Sequence, residues 1–168
     1  MLKNWILSLL ILLPLAVMAQ TRVATVDMKA VFDAMPEKVE AESQLKLLSD
    51  RYEEEFNSLR QDFKRKYSDY QSVANDPTVP QTIKERRIQE IQENDRKISE
   101  FEREARKDID AQQESLLAPI KAKLNEAVKA VADAEGVAYV LDSSVGVVYQ
   151  GAGAINLTDK VRRFLGIE

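Results

Sequence analysis

AESQLKLLSDRYEEEFNSLRQDFKRKYSDYQSVANDPTVP, residues 41–80, is the stretch of sequence that decides the fold. Before the prolines at positions 77 and 80, apolar and aromatic residues recur every three or four positions, and most other positions are charged or polar. The recurring residues are Ala41, Leu45, Leu48, Tyr52, Phe56, Leu59, Phe63, Tyr67, Tyr70 and Ala74. This spacing places them on one narrow face of an α-helix. The pattern predicts a long helix that begins near Pro36 and buries a single seam.

A second long helix of the same kind follows the two prolines. Its repeating positions run from Ile91 to Val131 and include two polar residues, Asn94 and Gln112. Pro119 lies inside this helix and should kink it, and Gly136 should end it. Two long helices joined by a short turn should pack as an antiparallel hairpin over residues 36–135, with its tip near residues 75–81.

Both ends of the chain have the composition of β-structure. Thr21–Asp27, Val137–Asp142 and Val145–Gln150 are rich in β-branched and apolar residues, so each is predicted to be a strand. Val137–Asp142 is so apolar that both of its faces are expected to be covered. Residues 151–155 are expected to be a flexible connection to a short last helix.

These elements predict an α+β fold that is mainly α. A small β-body formed by residues 20–35 and 136–168 would carry the helical hairpin as an arm. A body of about 50 residues is small for an independent core. Its exposed strand edges therefore predict a homo-oligomer.

The first nineteen residues have the features of a secretory signal peptide. Lys3 precedes an apolar run from Trp5 to Val17, and Ala19 supplies the small residue before a cleavage site. An apolar run of about 15 residues is shorter than the roughly 20 that span a bilayer as a helix. We therefore expect residues 1–19 to be removed after Ala19, leaving residues 20–168 as a single exported domain.

The composition argues against several classes of function. The 168 residues include no Cys and no His, which removes thiol nucleophiles, imidazole bases and Cys/His metal sites. A net charge of −4 argues against a general nucleic-acid binder, and Gly151–Gly153 is too short to be a nucleotide loop. No pair of Asp, Glu, Lys or Ser residues stands out from the charged background. We expect no enzymatic activity, no cofactor and no metal.

The exported precursor, its long charged hairpin and four further segments together resemble the Skp/OmpH family of periplasmic chaperones. The segments are VATVDMKAVF (Val23–Phe32), Pro119–Ile120, AEGVAYVLD (Ala134–Asp142) and NLTDKVRRFLGIE (Asn156–Glu168). The resemblance covers nearly all of residues 20–168. The resemblance is most specific at the two ends of this range, because any long charged helix would match the family equally well in the middle.

The resemblance implies a jellyfish-shaped homotrimer, in which three β-bodies join and three arms surround a cavity. It implies that the protein acts in the periplasm as an ATP-independent holdase. Such a holdase binds unfolded outer-membrane proteins in the cavity and prevents their aggregation before membrane insertion. The best-known members of the family are strongly basic, whereas this chain is acidic. The lipopolysaccharide site proposed in the family has no residue-by-residue match here.

Basic residues concentrate at the predicted end of the arm. Positions 60–87 hold seven basic and four acidic residues, a net charge of +3. The basic residues, here called the tip cluster, are Arg60, Lys64, Arg65, Lys66, Lys84, Arg86 and Arg87. They could contact acidic segments of a client or an anionic membrane surface. The alternative is that they form an ordinary solvated helix face.

Aromatic residues of the arm also have two interpretations. Phe63, Tyr67 and Tyr70 are candidate client contacts, because a holdase needs many weak and replaceable apolar contacts. They could instead fill the seam between the two helices, and the same two interpretations apply to Phe56 and Phe101.

Apolar residues of the predicted strands are assigned to the oligomeric body. They are Val23, Val26, Tyr139, Val140, Leu141, Val147 and Val148. Asp27 and Asp142 end strands and are expected to cap turns.

The alternative function is that of a structural coiled-coil spacer or adaptor in the cell envelope. A spacer should have a well-packed seam, whereas a holdase should have loose arms with sparse, partly exposed apolar groups. The polar residues Asn94 and Gln112 in the predicted seam favour the holdase.

Overall fold

A computed structural model describes residues 22–167, in which long helices dominate and three short strands form one sheet. The strands are β1 (Val23–Val26), β2 (Tyr139–Asp142) and β3 (Ile155–Asn156). The helices are α1 (Met28–Asp33), α2 (Pro36–Ala74), α3 (Gln81–Glu135) and α4 (Thr158–Phe164). The predicted class, α+β and mainly α, is confirmed. The predicted signal peptide, residues 1–19, lies outside the described residues.

β1 is the central strand of a parallel sheet with the order β2-β1-β3. Val23 pairs with Tyr139 on one side, and Ala24 pairs with Ile155 on the other. Parallel neighbours require a crossover connection, and the crossover from β1 to β2 consists of α1, α2 and α3. Strands from both ends of the chain therefore meet in one sheet, as the sequence predicted.

Local sequence signals account for where the helices start and end. The Asp27 carboxylate accepts a hydrogen bond from the Ala30 backbone N–H at 2.8 Å and so caps α1. Pro36 occupies the first turn of α2, where its missing N–H costs nothing. Gly136 ends α3 in the left-handed conformation, with φ of 61°. Pro119 lies inside α3 without ending it.

α2 and α3 pack side by side in opposite directions, and we call them the helix pair. Near the sheet, Lys123 forms an ion pair with Glu37. At the other end, the Lys84 ammonium donates to the Ala74 carbonyl oxygen at 2.9 Å. Partner numbers on α3 fall as those on α2 rise, so the two helices run antiparallel.

The core lies where the base of the helix pair meets the sheet and α4. The largest fully buried side chains are Val26, Val31, Met35, Leu157 and Val161. α3 adds the buried residues Ile120, Leu124, Ala127, Val131 and Ala132. Because these positions join β1, α1 and α4 to one end of α3, the folded body anchors the helix pair at its base.

Two strand predictions were wrong. Val145–Gln150 is not a strand: Val145 ends a 3₁₀ turn that begins at Ser143, and residues 146–150 are neither helix nor strand. The third strand is Ile155–Asn156, which begins at the last residue of the expected flexible connection. Both sides of β1 are already occupied by β2 and β3, so Val145–Gln150 has no free β1 edge to pair with. The prediction that both faces of β2 are covered also fails, because exposed and half-buried residues alternate along it.

The predicted seam of the helix pair is correct except at two positions. Tyr67 is exposed, and the half-buried Lys66 takes the neighbouring seam position. Gln112 is also exposed, so of the two polar residues assigned to the seam only Asn94 is buried. A sequence repeat of three or four residues does not determine which of two adjacent residues lies in the seam. Only packing against the facing helix determines it.

Candidate functional site

The tip cluster divides into two groups along the helix pair. Lys84 lies beside Ala74, at the end farthest from the sheet. Lys66 lies eight residues before Ala74 on α2, which corresponds to about 12 Å along the helix axis. The structure therefore places Arg60, Lys64, Arg65 and Lys66 below the tip, while Lys84, Arg86 and Arg87 lie close to it.

Asp62 neutralises part of the lower group. It accepts a hydrogen bond from the Lys66 ammonium at 2.7 Å and forms a second ion pair with Arg65. The hydrogen bond from Lys66 holds the pKa of the Asp62 carboxyl below its usual value of 3.8, with partial burial acting in the opposite direction. Arg60 lies over the Phe56 ring, 5.7 Å from its centre. Lys64 is exposed and has no hydrogen-bond or ion-pair partner within the described chain.

Glu90 compensates the upper group. Its carboxylate lies 3.0 Å from the Arg86 guanidinium and 3.8 Å from that of Arg87. Sequence reasoning missed this residue because the counted window ended at Arg87, although spacings of three and four on a helix would have found it. The positive charge of the tip cluster is consequently weaker than the count over positions 60–87 suggests.

Only one of the three candidate aromatic residues is exposed. Tyr67 is 46% exposed and stacks on Phe63, with ring centres 6.3 Å apart and planes 5° apart. Phe63 and Tyr70 are half-buried. Tyr67 is therefore the candidate best placed to contact another molecule, while Phe63 supports it from the seam.

The body presents an apolar surface to solvent. On β2, Tyr139 is 63% and Leu141 is 51% exposed, and Val23 and Val148 are exposed as well. Val26 is buried within the chain, and Val140 and Val147 are half-buried. The candidate body residues thus divide into an inner and an outer set.

Three further exposed apolar residues of the body were missed by sequence reasoning: Val145, Tyr149 and Phe164. Along α4 and its C-cap, Phe164 is exposed and Leu165 is half-buried, whereas Val161 is buried. A helix as short as α4 gives too little periodicity to fix its inner face.

The carboxylates at the ends of β1 and β2 cap turns, as predicted. Asp27 caps α1, and Asp142 accepts hydrogen bonds from the backbone N–H groups of Ser144 and Met28, at 2.9 and 3.3 Å. Partial burial acts to raise the pKa of Asp142, but these hydrogen bonds lower it overall. Both acids therefore have structural roles in the described chain.

A shallow apolar groove runs between α2 and α3 midway along the helix pair. Tyr52, Phe56, Phe101, Ala105 and Ile109 line it. The Tyr52 and Phe101 rings meet edge to face with centres 5.8 Å apart. The Tyr52 hydroxyl donates to Asp108 at 2.7 Å, and this hydrogen bond raises the pKa of Tyr52. The groove belongs to the seam, which agrees with the seam interpretation of Phe56 and Phe101.

Residues 22–167 contain neither a metal-binding cluster of acidic residues nor a membrane-spanning helix. No group of three or more acidic residues in this range is arranged to hold a metal ion. No helix in the same range is both long enough and apolar enough to cross a membrane.

The fold and the candidate surfaces define a class of elongated α+β protein, in which a long helix pair is anchored on a small sheet with exposed apolar residues. In sequence, residues 22–165 match the family described as outer membrane protein (OmpH-like). The chain belongs to this family.

A solved structure shares the fold. It is the crystal structure at 2.83 Å resolution of a candidate outer membrane chaperone (OmpH-like) from Caulobacter crescentus CB15. The two chains superpose with a TM-score of 0.71 at 16% sequence identity, over 88% of this chain and 85% of the other. The comparison with curated proteins found no match.

Proposed function

We propose that this protein is an ATP-independent holdase chaperone of the periplasm, which binds unfolded outer-membrane proteins and keeps them from aggregating before membrane insertion. Membership of the OmpH-like family over residues 22–165 is the observation that carries the proposal. The proposal includes removal of residues 1–19, residence in the periplasm and the absence of catalysis.

The exposed apolar surface of the body supports assembly into a homotrimer. Exposing large apolar side chains to water costs free energy, and burial between subunits would remove that cost. The exposed side chains concerned are those of Tyr139, Leu141 and Val148. The outer edge of β2 is also unpaired within the described chain. In the proposed trimer, Val145–Gln150 of one subunit packs near the β2 edge of the next.

The helix pair would then project from the trimeric body as an arm. Its polar composition keeps it in solvent, and three arms from one body would enclose a cavity. Lys64 and Tyr67 are the proposed client contacts of the arm, since Lys64 is unpaired within the described chain and Tyr67 is the exposed aromatic residue. The remaining tip cluster would add a weaker positive field, which could also bring the arm to an anionic membrane surface.

A refolding assay tests the proposed function. The mature chain, residues 20–168, is analysed by size exclusion with light scattering, alone and after rapid dilution of a urea-unfolded outer-membrane β-barrel. We expect a trimer, and a soluble complex of trimer and barrel that suppresses light scattering without ATP. A trimer that leaves the barrel to aggregate would contradict the holdase.

The spacer remains the alternative from a different class. A spacer requires a rigid, well-packed seam, but the seam of the helix pair has no fully buried apolar side chain between Ala105 and the tip within the described residues. This observation favours the holdase. A trimer with uniformly protected helices and no effect on barrel aggregation would favour the spacer.

A further inference from the structure

The helix pair is packed unevenly along its length. On α3, the buried apolar residues lie between Ala105 and Ala132, and on α2 the buried residue is Ala41, near the base. We call residues 53–74 and 81–104 the distal half. Within it, the described seam side chains such as Leu59, Phe63 and Ile98 are only half-buried. Apolar burial is the main source of helix-pair stability, so the distal half is held together less strongly than the base.

The one fully buried side chain of the distal half is polar. Asn94 is 3% exposed, and its amide nitrogen donates to Asp62 Oδ2 at 2.7 Å. Its amide oxygen, Oδ1, has no hydrogen-bond partner among the described residues. A buried acceptor without a partner costs free energy that an apolar residue at the same position would not cost. Asn94 therefore weakens the seam where it lies.

The same side chain also restricts how the two helices can align. Its hydrogen bond joins α3 to Asp62 on α2, which is fixed in turn by Lys66. A shift of one helix along the other would leave both Asn94 and the partly buried carboxylate without this contact. A buried Asn in a helix seam is known to select one alignment at the expense of stability. We call Asp62, Lys66 and Asn94 the polar layer.

We propose that the distal half of the helix pair opens and closes as a separate unit, and that the polar layer sets both its alignment and its ease of opening. The base remains closed during this motion, because Ile120, Leu124 and Ala127 are buried there. Local openings of this kind span a wide range of free energies within one protein, and the least packed elements open first. The inference concerns the helix pair alone and does not depend on the chaperone proposal.

Amide hydrogen exchange of the mature chain, followed by mass spectrometry, tests the inference. We expect residues 53–74 and 81–104 to exchange together and at least about tenfold faster than residues 120–132. Asn94→Leu removes the unpaired acceptor and adds apolar contact, so it should slow exchange throughout the distal half by about tenfold. Exchange at the base should not change.

Two further variants make the test decisive. Asn94→Asp places a carboxylate against Asp62 and should accelerate exchange in the distal half alone. Gln112→Leu is the matched control: Gln112 lies on the same helix and on the same sequence repeat but is exposed, so its replacement should leave distal exchange unchanged. Helix content by circular dichroism establishes that each variant folds.

Three results would overturn the inference. One is exchange that rises smoothly from the base to the tip, which indicates simple fraying of the ends. Another is a distal half as protected as the base. The third is an equal effect of Asn94→Leu and Gln112→Leu, which would show that the polar layer has no particular part in opening. None of these results bears on whether the protein suppresses barrel aggregation.

Discussion

Asp62 shows how one residue links charge, packing and pH response in this protein. It contacts Lys66 and Arg65 on its own helix and Asn94 on the facing helix. A carboxylate whose pKa is lowered by folding stabilises the folded state above its unfolded pKa. That stabilisation is lost as the pH falls through the lower, folded pKa. The contribution of Asp62 is therefore present at neutral pH and disappears in strong acid.

Replacement of Asp62 tests this pH dependence. Asp62→Asn keeps the size of the side chain but removes the charge, so at pH 7 we expect unfolding to cost about 0.5–1 kcal/mol less, as is usual for a partly exposed ion pair. The difference should shrink as the pH is lowered from 7 toward 2, because the wild-type carboxylate gains a proton as the pH falls through its folded pKa. Thermal melts of both proteins at pH 7 and pH 2, followed by circular dichroism, measure this difference in stability. A difference that persists unchanged at pH 2 would show that the charge of Asp62 is not its source.

At the scale of the element, the tip of the helix pair is not uniformly positive, because acidic residues compensate several of its basic residues. Arg86 and Arg87 share Glu90, and Arg65 and Lys66 share Asp62. Lys66 is also part of the polar layer, so replacing it would alter the seam as well as the charge. A clean test of client capture must therefore leave Lys66 in place.

Charge reversal of four members of the tip cluster tests their role in client capture. The variant carries Glu at Lys64, Arg65, Arg86 and Arg87. We expect the affinity for an unfolded outer-membrane barrel to fall at low salt, and the loss to shrink at high salt because the interaction is screened. The mass of the oligomer should not change. Binding is measured by fluorescence titration at two salt concentrations.

A matched reversal elsewhere on the helix pair separates position from total charge. The control carries Glu at Arg103, Arg106, Lys107 and Lys121, which are exposed on α3 nearer the base. It changes the net charge by the same amount. Equal losses of affinity in the two variants would mean that overall charge, rather than the tip cluster, governs capture.

At the scale of the whole molecule, the outer face of β2 bears on whether the chain is stable as a monomer. Tyr139 and Leu141 point away from the core formed by the same chain and lie on an unpaired sheet edge. Such a surface is typical of an interface between subunits. The proposed trimer accounts for it without any rearrangement of the sheet.

Replacement of Leu141 tests the proposed interface. Leu141→Asp places a charge in the proposed contact, which should shift the mature chain from trimer to monomer at micromolar concentration. Val39→Asp is the control, because Val39 is equally apolar and 61% exposed but lies on α2, outside the body. Sedimentation or light scattering gives the mass. A Leu141→Asp protein that remains a trimer would place the interface elsewhere.

Much of this architecture follows from the sequence alone. The period of the apolar residues in positions 41–74 and 91–131, the prolines at 77 and 80 and the glycine at 136 determined the two long helices and their ends. The physical reason is that these signals are local: helix periodicity, caps and breakers act within a few residues. The same local signals located strands at both chain ends and identified Asp27 and Asp142 as caps.

Tertiary contacts decided the rest. Strand composition could not show that Ile155–Asn156, rather than Val145–Gln150, pairs with β1, because pairing depends on which sheet edge is free. Periodicity could not show that Asn94 is buried while Gln112 is exposed, or that Lys66 rather than Tyr67 enters the seam. These features depend on the facing helix, and only the folded chain brings that helix into contact.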